Sequence, residues 1–104
     1  MRGALLKGNL DLLLLSILAD GPAHGYSVLA ELRERSNGAF DLPEGTVYPA
    51  LHRLEAAGLL HSRWSREAGR RRRVYSLTRR GSRELDRRKA EWQRFSTAVA
   101  MVVA

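Results

Sequence analysis

Leu42-Pro43-Glu44-Gly45-Thr46-Val47-Tyr48-Pro49-Ala50-Leu51-His52-Arg53-Leu54-Glu55-Ala56-Ala57-Gly58 is the stretch whose reading decides the fold. Wound as a helix, it places Val47, Ala50, Leu51 and Leu54 on one face at helical spacing. The opposite face carries Gly45, Pro49, His52, Arg53 and Ala56, with Thr46 and Tyr48 on its flanks. That face holds little charge for a solvated helix. Small residues let a helix backbone approach a groove floor, while His, Arg, Thr and Tyr offer hydrogen bonds to base edges and phosphates. Two readings stay open from this stretch alone, an ordinary amphipathic surface helix and a helix that lies against nucleic acid.

Upstream, Asn9 is placed to cap a helix from Leu10 to Ala19, ended by Asp20-Gly21-Pro22. Leu12 to Leu18 is apolar almost all round, so this helix is assigned to the core and given no chemistry. A tight connection leads to a second helix from about His24 to Ser36, closed by Asn37-Gly38. His24 and Tyr26 stand near its start, where they can touch a phosphate or simply pack. Ala39 to Leu42 reads as a short extended link. The deciding helix follows, with Pro43 suited to its first turn and Gly58 to its C′ position. Pro49 removes one internal hydrogen bond, a loss tolerable near the helix start.

Downstream, Leu59 to Ser65 and Arg72 to Thr78 alternate as two strands around a basic tip, Glu67-Ala68-Gly69-Arg70-Arg71. Trp64 and Tyr75 on this hairpin are expected to cover core. Three helices and a hairpin make a mainly α chain with a two-stranded β-wing, a winged helix-turn-helix. Arg70, Arg71, Arg72 and Arg73 alternate faces on the wing, so about two of them reach one phosphate track. Thr78 caps a last helix from Arg79 onward. On it Leu85, Trp92 and Val99 recur seven apart, and Phe95 and Val102 complete an apolar seam. Its end, Ala98 to Ala104, is apolar enough to want a partner, and a second copy is the simplest one. Packing back onto the first helix is the alternative. The division expected is residues 1–78 as a DNA-binding domain and residues 79–104 as a dimerisation helix.

The chain has 104 residues and no Cys, which excludes disulfides, thiol chemistry and Cys-ligated metals. Its net charge is +7, and the charge is divided unevenly: residues 1–52 carry −2 and residues 53–104 carry +9. Sixteen of the eighteen bases are Arg, whose planar fork suits phosphate and guanine. Such a basic half favours a polyanion as partner. The apolar run at Leu12 lacks a basic lead-in and is too short to cross a bilayer, so a cytoplasmic protein is expected. His24, His52 and His61 are scattered, with no nucleophile, paired carboxylates or ligand spacing around them, so neither catalysis nor a metal or cofactor is expected.

Three segments together resemble the PadR family of bacterial transcriptional regulators: His24-Gly25-Tyr26, Gly45 to Leu59, and Gly69-Arg70-Arg71-Arg72-Arg73-Val74-Tyr75-Ser76-Leu77-Thr78-Arg79-Arg80-Gly81. The similarity runs without an obvious gap from about Leu5 to Leu85. It implies a homodimeric repressor on a palindromic operator, with the helix around Thr46 to Leu54 in the major groove and the Arg-rich wing on the flanking backbone or minor groove. Thr46, Tyr48, Pro49, His52, Arg53 and Arg70 to Arg73 are then the DNA-binding set, with Arg53 and His52 reading base edges or nearby phosphates. A single helix after the wing is similar to the small-tailed subgroup. In multidrug-sensing members of that subgroup, a tryptophan on the last helix pairs with its twin around flat aromatic ligands, and Trp92 stands at the matching place. Phe95 and the alanines around it depart from that pattern, so a dry dimer seam is the other expectation. Outside the resemblance, an RNA-binding or ribosome-associated role is the alternative function, and it asks for exposed aromatics that stack bases.

Overall fold

The computed structural model describes residues 3–67 and 69–104. Met1 and Arg2 of the expected lead, and Ala68 of the expected wing tip, lie outside the described residues. The elements run α1 (Gly3–Leu18), β1 (Ala23–His24), α2 (Gly25–Arg35), α3 (Glu44–Ala56), β2 (Leu60–Glu67), β3 (Arg70–Leu77) and α4 (Arg79–Val103).

The first helix begins earlier than Asn9 predicts. The Asn9 side chain does not cap forward; its Nδ2 donates 2.8 Å back to the Leu5 carbonyl, so the helix runs through it. α2 is one residue shorter at each end than expected, because His24 belongs to β1. Both α2 and α3 end in Schellman turns. Asn37, at φ 53°, closes the first, with Gly38 N donating to Arg33 O at 2.8 Å. Gly58, at φ 80°, closes the second, with Leu59 N donating to Leu54 O at 3.0 Å. The chain therefore leaves α3 at a fixed angle into the wing. Pro43 is the N-cap of α3 rather than part of its first turn.

Leu14, Leu15 and Leu18 of α1 meet Val28 of α2 and Val47, Leu51 and Leu54 of α3, all at most 2 % exposed. Burying side chains of this size stabilises by about 1.5–3 kcal/mol each before conformational entropy is set against it. The apolar face of α3 is thus its anchor, as its spacing indicated. Tyr75 and Leu60 close the core from the sheet, and Leu85 closes it from α4.

The sheet has three antiparallel strands in the order β1-β3-β2, one more than the expected two-stranded wing. β1 is only two residues long and pairs Ala23 with Tyr75 and His24 with Val74. The wing hairpin itself runs in register from Leu60 opposite Leu77 to Glu67 opposite Arg70, so both strands reach closer to the tip than expected. One face carries Ser62, Trp64, Arg71, Arg73 and Tyr75, and this face looks toward α3. Trp64 lies beyond the core edge and is 54 % exposed, contrary to the expectation that it covers core.

The foot of α4 is locked to the turn between α3 and the wing. Thr78 Oγ1 accepts from Gly81 N at 2.9 Å and donates to Gly58 O at 2.8 Å. A Cβ on Gly81 would stand 2.0 Å from the Leu59 carbonyl oxygen, so only glycine fits that contact.

Candidate nucleic-acid interface

With Val47, Ala50, Leu51 and Leu54 buried, the outer crest of α3 consists of Gly45, Pro49, His52 and Ala56, all exposed. None carries a permanent charge, and none is longer than an imidazole. Thr46 and Arg53 lie on one flank, and Tyr48 and Glu55 on the other. Thr46 and Tyr48 are half-buried.

The Arg53 flank faces α1. Its guanidinium closes as a fork on Asp11, with Nη2 2.6 Å from Oδ1 and Nη1 3.0 Å from Oδ2. That hydrogen bond raises the Arg53 pKa further above its ordinary value. Arg88 of α4 approaches the same carboxylate at 3.7 Å and holds Glu84 at 2.7 Å. Glu84 in turn bonds Arg87, which reaches Glu91 at 2.8 Å. Hydrogen bonds from Arg87 and then Arg88 lower the Glu84 carboxyl to about 2. Asp11, the acid in a helix expected to be core alone, is therefore a working part of this surface. The signal was present: an acid amid leucines, half-turned to the core, needs a cation.

The Tyr48 flank faces α2 and the wing. An open cleft lies there, walled by His24, Tyr26, Tyr48, His52, Trp64 and Tyr75, with Arg70, Arg72 and Arg73 at its rim. The Tyr48 ring crosses the first turn of α2 so closely that a Cβ on Gly25 would stand 2.7 Å from it. Gly25 is thus what lets Tyr48 lie across the start of α2. Burial first, then the nearby Glu44, raises the Tyr48 pKa, so its hydroxyl remains a hydrogen-bond donor at neutral pH. His24, half-buried, sets its Nε2 3.2 Å from Glu67 of the wing, tying β1 to the far end of β2.

The four wing arginines are not equivalent. Arg73 donates to Ser62 Oγ at 2.7 Å and stands 3.7 Å from Glu55, which itself accepts from Ser62 at 2.6 Å. The guanidinium of Arg71 lies 4.5 Å, and that of Arg73 5.2 Å, from the centre of the Trp64 ring. Among the described residues, Arg70, Arg71 and Arg72 have no acid within salt-bridge distance. They remain available to an outside anion.

Of the expected seam on α4, Leu85 is not part of any exposed face. It is 3 % exposed and packs into the core of its own domain, because the helix foot lies against α1. Trp92, Phe95, Val99 and Val102 are exposed, and the rings of Trp92 and Phe95 stand 6.4 Å apart. Trp92 also lines an apolar groove against Leu5, Leu6, Leu12, Leu13 and Phe40. Among the described residues, no helix is long and apolar enough to cross a membrane, and no group of three metal-ligating side chains is gathered.

Comparison with known proteins gives a consistent result. Residues 14–87 match the family described as "Transcriptional regulator PadR-like family". The chain is 45 % identical over 75 residues to the transcriptional regulator Rv3488 of Mycobacterium tuberculosis, spanning 70 % of this chain and 67 % of that protein. It superposes on a PadR family transcription regulator from Clostridium difficile R20291 with TM-score 0.83 and 35 % identity, covering 92 % of this chain and 99 % of the other. A transcriptional regulator from Clostridium thermocellum gives TM-score 0.89 at 26 % identity, over 98 % of this chain and 100 % of that one.

Proposed function

The chain belongs to the PadR-like family of transcriptional regulators, and on that premise we propose that it is a repressor that binds a palindromic operator as a homodimer. It is a DNA-binding regulator and not an enzyme. The observation that carries the finer reading is the pairing of an uncharged, small-residue crest on α3 with a wing on which Arg70, Arg71 and Arg72 have no acidic partner among the described residues. The crest is suited to a groove floor, where position decides specificity. The wing is suited to phosphates, where charge decides affinity.

In this reading residues 1–78 are the DNA-binding unit. His52, Pro49, Thr46 and Tyr48 line the groove contact, Arg70, Arg71 and Arg72 hold the backbone, and Arg53 joins from its flank. Residues 79–104 are the dimerisation helix, with Trp92, Phe95, Val99 and Val102 as its seam. Two copies joined there present two reading helices about one DNA turn apart. A flat aromatic effector is accommodated beside Trp92, and quenching of its fluorescence across a panel of planar aromatics tests that role. The RNA-binding alternative asks for exposed aromatics, and Trp64, flanked by Arg71 and Arg73, is one; a duplex-versus-single-strand competition separates the two readings.

Selection of bound duplexes from a random pool, paired with a sizing measurement, tests the proposal. The expected outcome is a two-fold symmetric site and a dimer at micromolar concentration. Single chains with no preferred duplex would overturn it.

A further inference from the structure

The bidentate contact between Arg53 and Asp11 has the geometry that a guanidinium uses on a phosphate or on the O6 and N7 of guanine. The N–H groups engaged by the carboxylate cannot bond DNA at the same time. The two partners are unequally held: the Arg53 side chain is 58 % exposed, the Asp11 side chain only 15 %. Arg53 is free to swing outward, whereas the carboxylate stays hemmed in and needs a cation. A second cation is already at hand. Arg88 of α4 stands 3.7 Å from Oδ2, just short of a hydrogen bond.

We propose that Arg53 exchanges Asp11 for a bidentate acceptor on DNA when α3 docks, and that Arg88 then takes over the carboxylate. Asp11 is thereby a competitor that holds Arg53 until DNA displaces it, and the exchange joins the reading helix to α4. The inference rests on α3 facing DNA. Coupling of this kind is reciprocal: whatever draws Arg88 away from Asp11 tightens the hold on Arg53, and DNA that captures Arg53 draws Arg88 inward.

The test is a set of affinities for the selected duplex and for a random duplex of equal length. The proteins are the wild type, Asp11→Asn, Arg88→Ala, the double variant, and Asp86→Asn as a control with the same charge change. Asp11→Asn is expected to bind about 2- to 5-fold more tightly than the control, the scale of one exposed ion pair. Arg88→Ala weakens binding by a similar factor more when Asp11 is present than beside Asp11→Asn, the difference cancelling the charge change common to both. A gain confined to the selected duplex assigns Arg53 to a base edge, and an equal gain on both duplexes assigns it to phosphate. Guanidinium NMR resonances of the wild type give an independent reading, since Arg88 must shift with Arg53 when duplex is added. Asp11→Asn no tighter than the control, or a stationary Arg88, overturns the exchange while leaving DNA binding by α3 intact. If the wild type prefers no duplex, the reading of α3 falls together with it.

Discussion

α3 and the wing both carry arginine, and they hold it in opposite ways. On α3 the one arginine is closed onto Asp11, and the crest beside it has no permanent charge. On the wing three of four arginines have no acidic partner among the described residues, and the fourth braces the strand against α3 through Ser62 and Glu55. A side chain already bonded inside the protein contributes to DNA binding only where the exchange is favourable, which makes its contribution depend on what lies opposite. An unpaired exposed cation contributes against any phosphate. In the proposed function, the contrast separates selectivity from grip within a few residues of one another.

Breaking the frame that holds both regions should have the largest effect. Gly81→Ala forces a methyl into the Leu59 carbonyl oxygen, 2.0 Å away, and must push α4 off the turn that joins α3 to the wing. Overpacking against backbone should cost about 3 kcal/mol or more. Thermal unfolding should then fall by roughly 12 °C or more in a domain of this size. An unchanged midpoint would show that the foot of α4 does not fix the two regions relative to each other.

The next effect lies within the wing. Arg71→Ala and Arg72→Ala should each lower the dependence of log affinity on log salt by about 0.9 and weaken selected and random duplexes by the same factor. Arg73→Ala should behave differently. It removes a hydrogen-bond partner from Ser62 and a cation from Glu55, so it should cost about 1 kcal/mol of stability with a smaller change in salt dependence. Identical behaviour of all four arginines in a salt titration would erase the distinction drawn between them.

On the crest, His52→Ala should reduce the preference for the selected duplex by about 1 kcal/mol, the lower end for a base contact. Equal loss on random sequence would mean that His52 serves grip rather than selection. The smallest effect is electrostatic and sits at the foot of α4. The Glu84 carboxyl is lowered from 4.5 to about 2 in the fold, so its bonds to Arg87 and Arg88 stabilise above pH 4.5 and are lost as pH falls toward 2. Acid unfolding of Glu84→Gln should accordingly be flatter across that window. The exposure of its partner Arg87 to solvent keeps the difference small.

Much of this organisation is legible in the sequence because it is local. The spacing of Val47, Ala50, Leu51 and Leu54 fixes the buried side of α3, and Gly58 fixes where it stops. Thr78 announces the start of α4 in the same way. What the sequence conceals is set by distant partners. Arg53 and Asp11 are 42 residues apart, so the arginine reads as free until the fold brings α1 beneath it. Leu85 shares a seven-residue spacing with Trp92, yet the first is buried in the domain core and the second only edges an open groove beside Leu5 and Phe40. β1 is too short to show alternation; its pairing exists only because β3 passes alongside. Asn9 illustrates the opposite difficulty, since one side chain can cap forward or bond backward and the sequence does not choose.

α4 is 25 residues long, hence about 37 Å from end to end, and only its first part, as far as Trp92 and Phe95, lies along the body. A rod held this way acts as a mechanical amplifier: a rotation of about 5° at the foot sweeps the far end by roughly 3 Å. In the proposed dimer, whose seam runs along this helix, the same few degrees would separate the two reading helices by several ångströms. Successive major grooves on one side of the duplex recur about every 34 Å, so in that proposed dimer a hinge movement this small would put the pair out of step with a palindromic site.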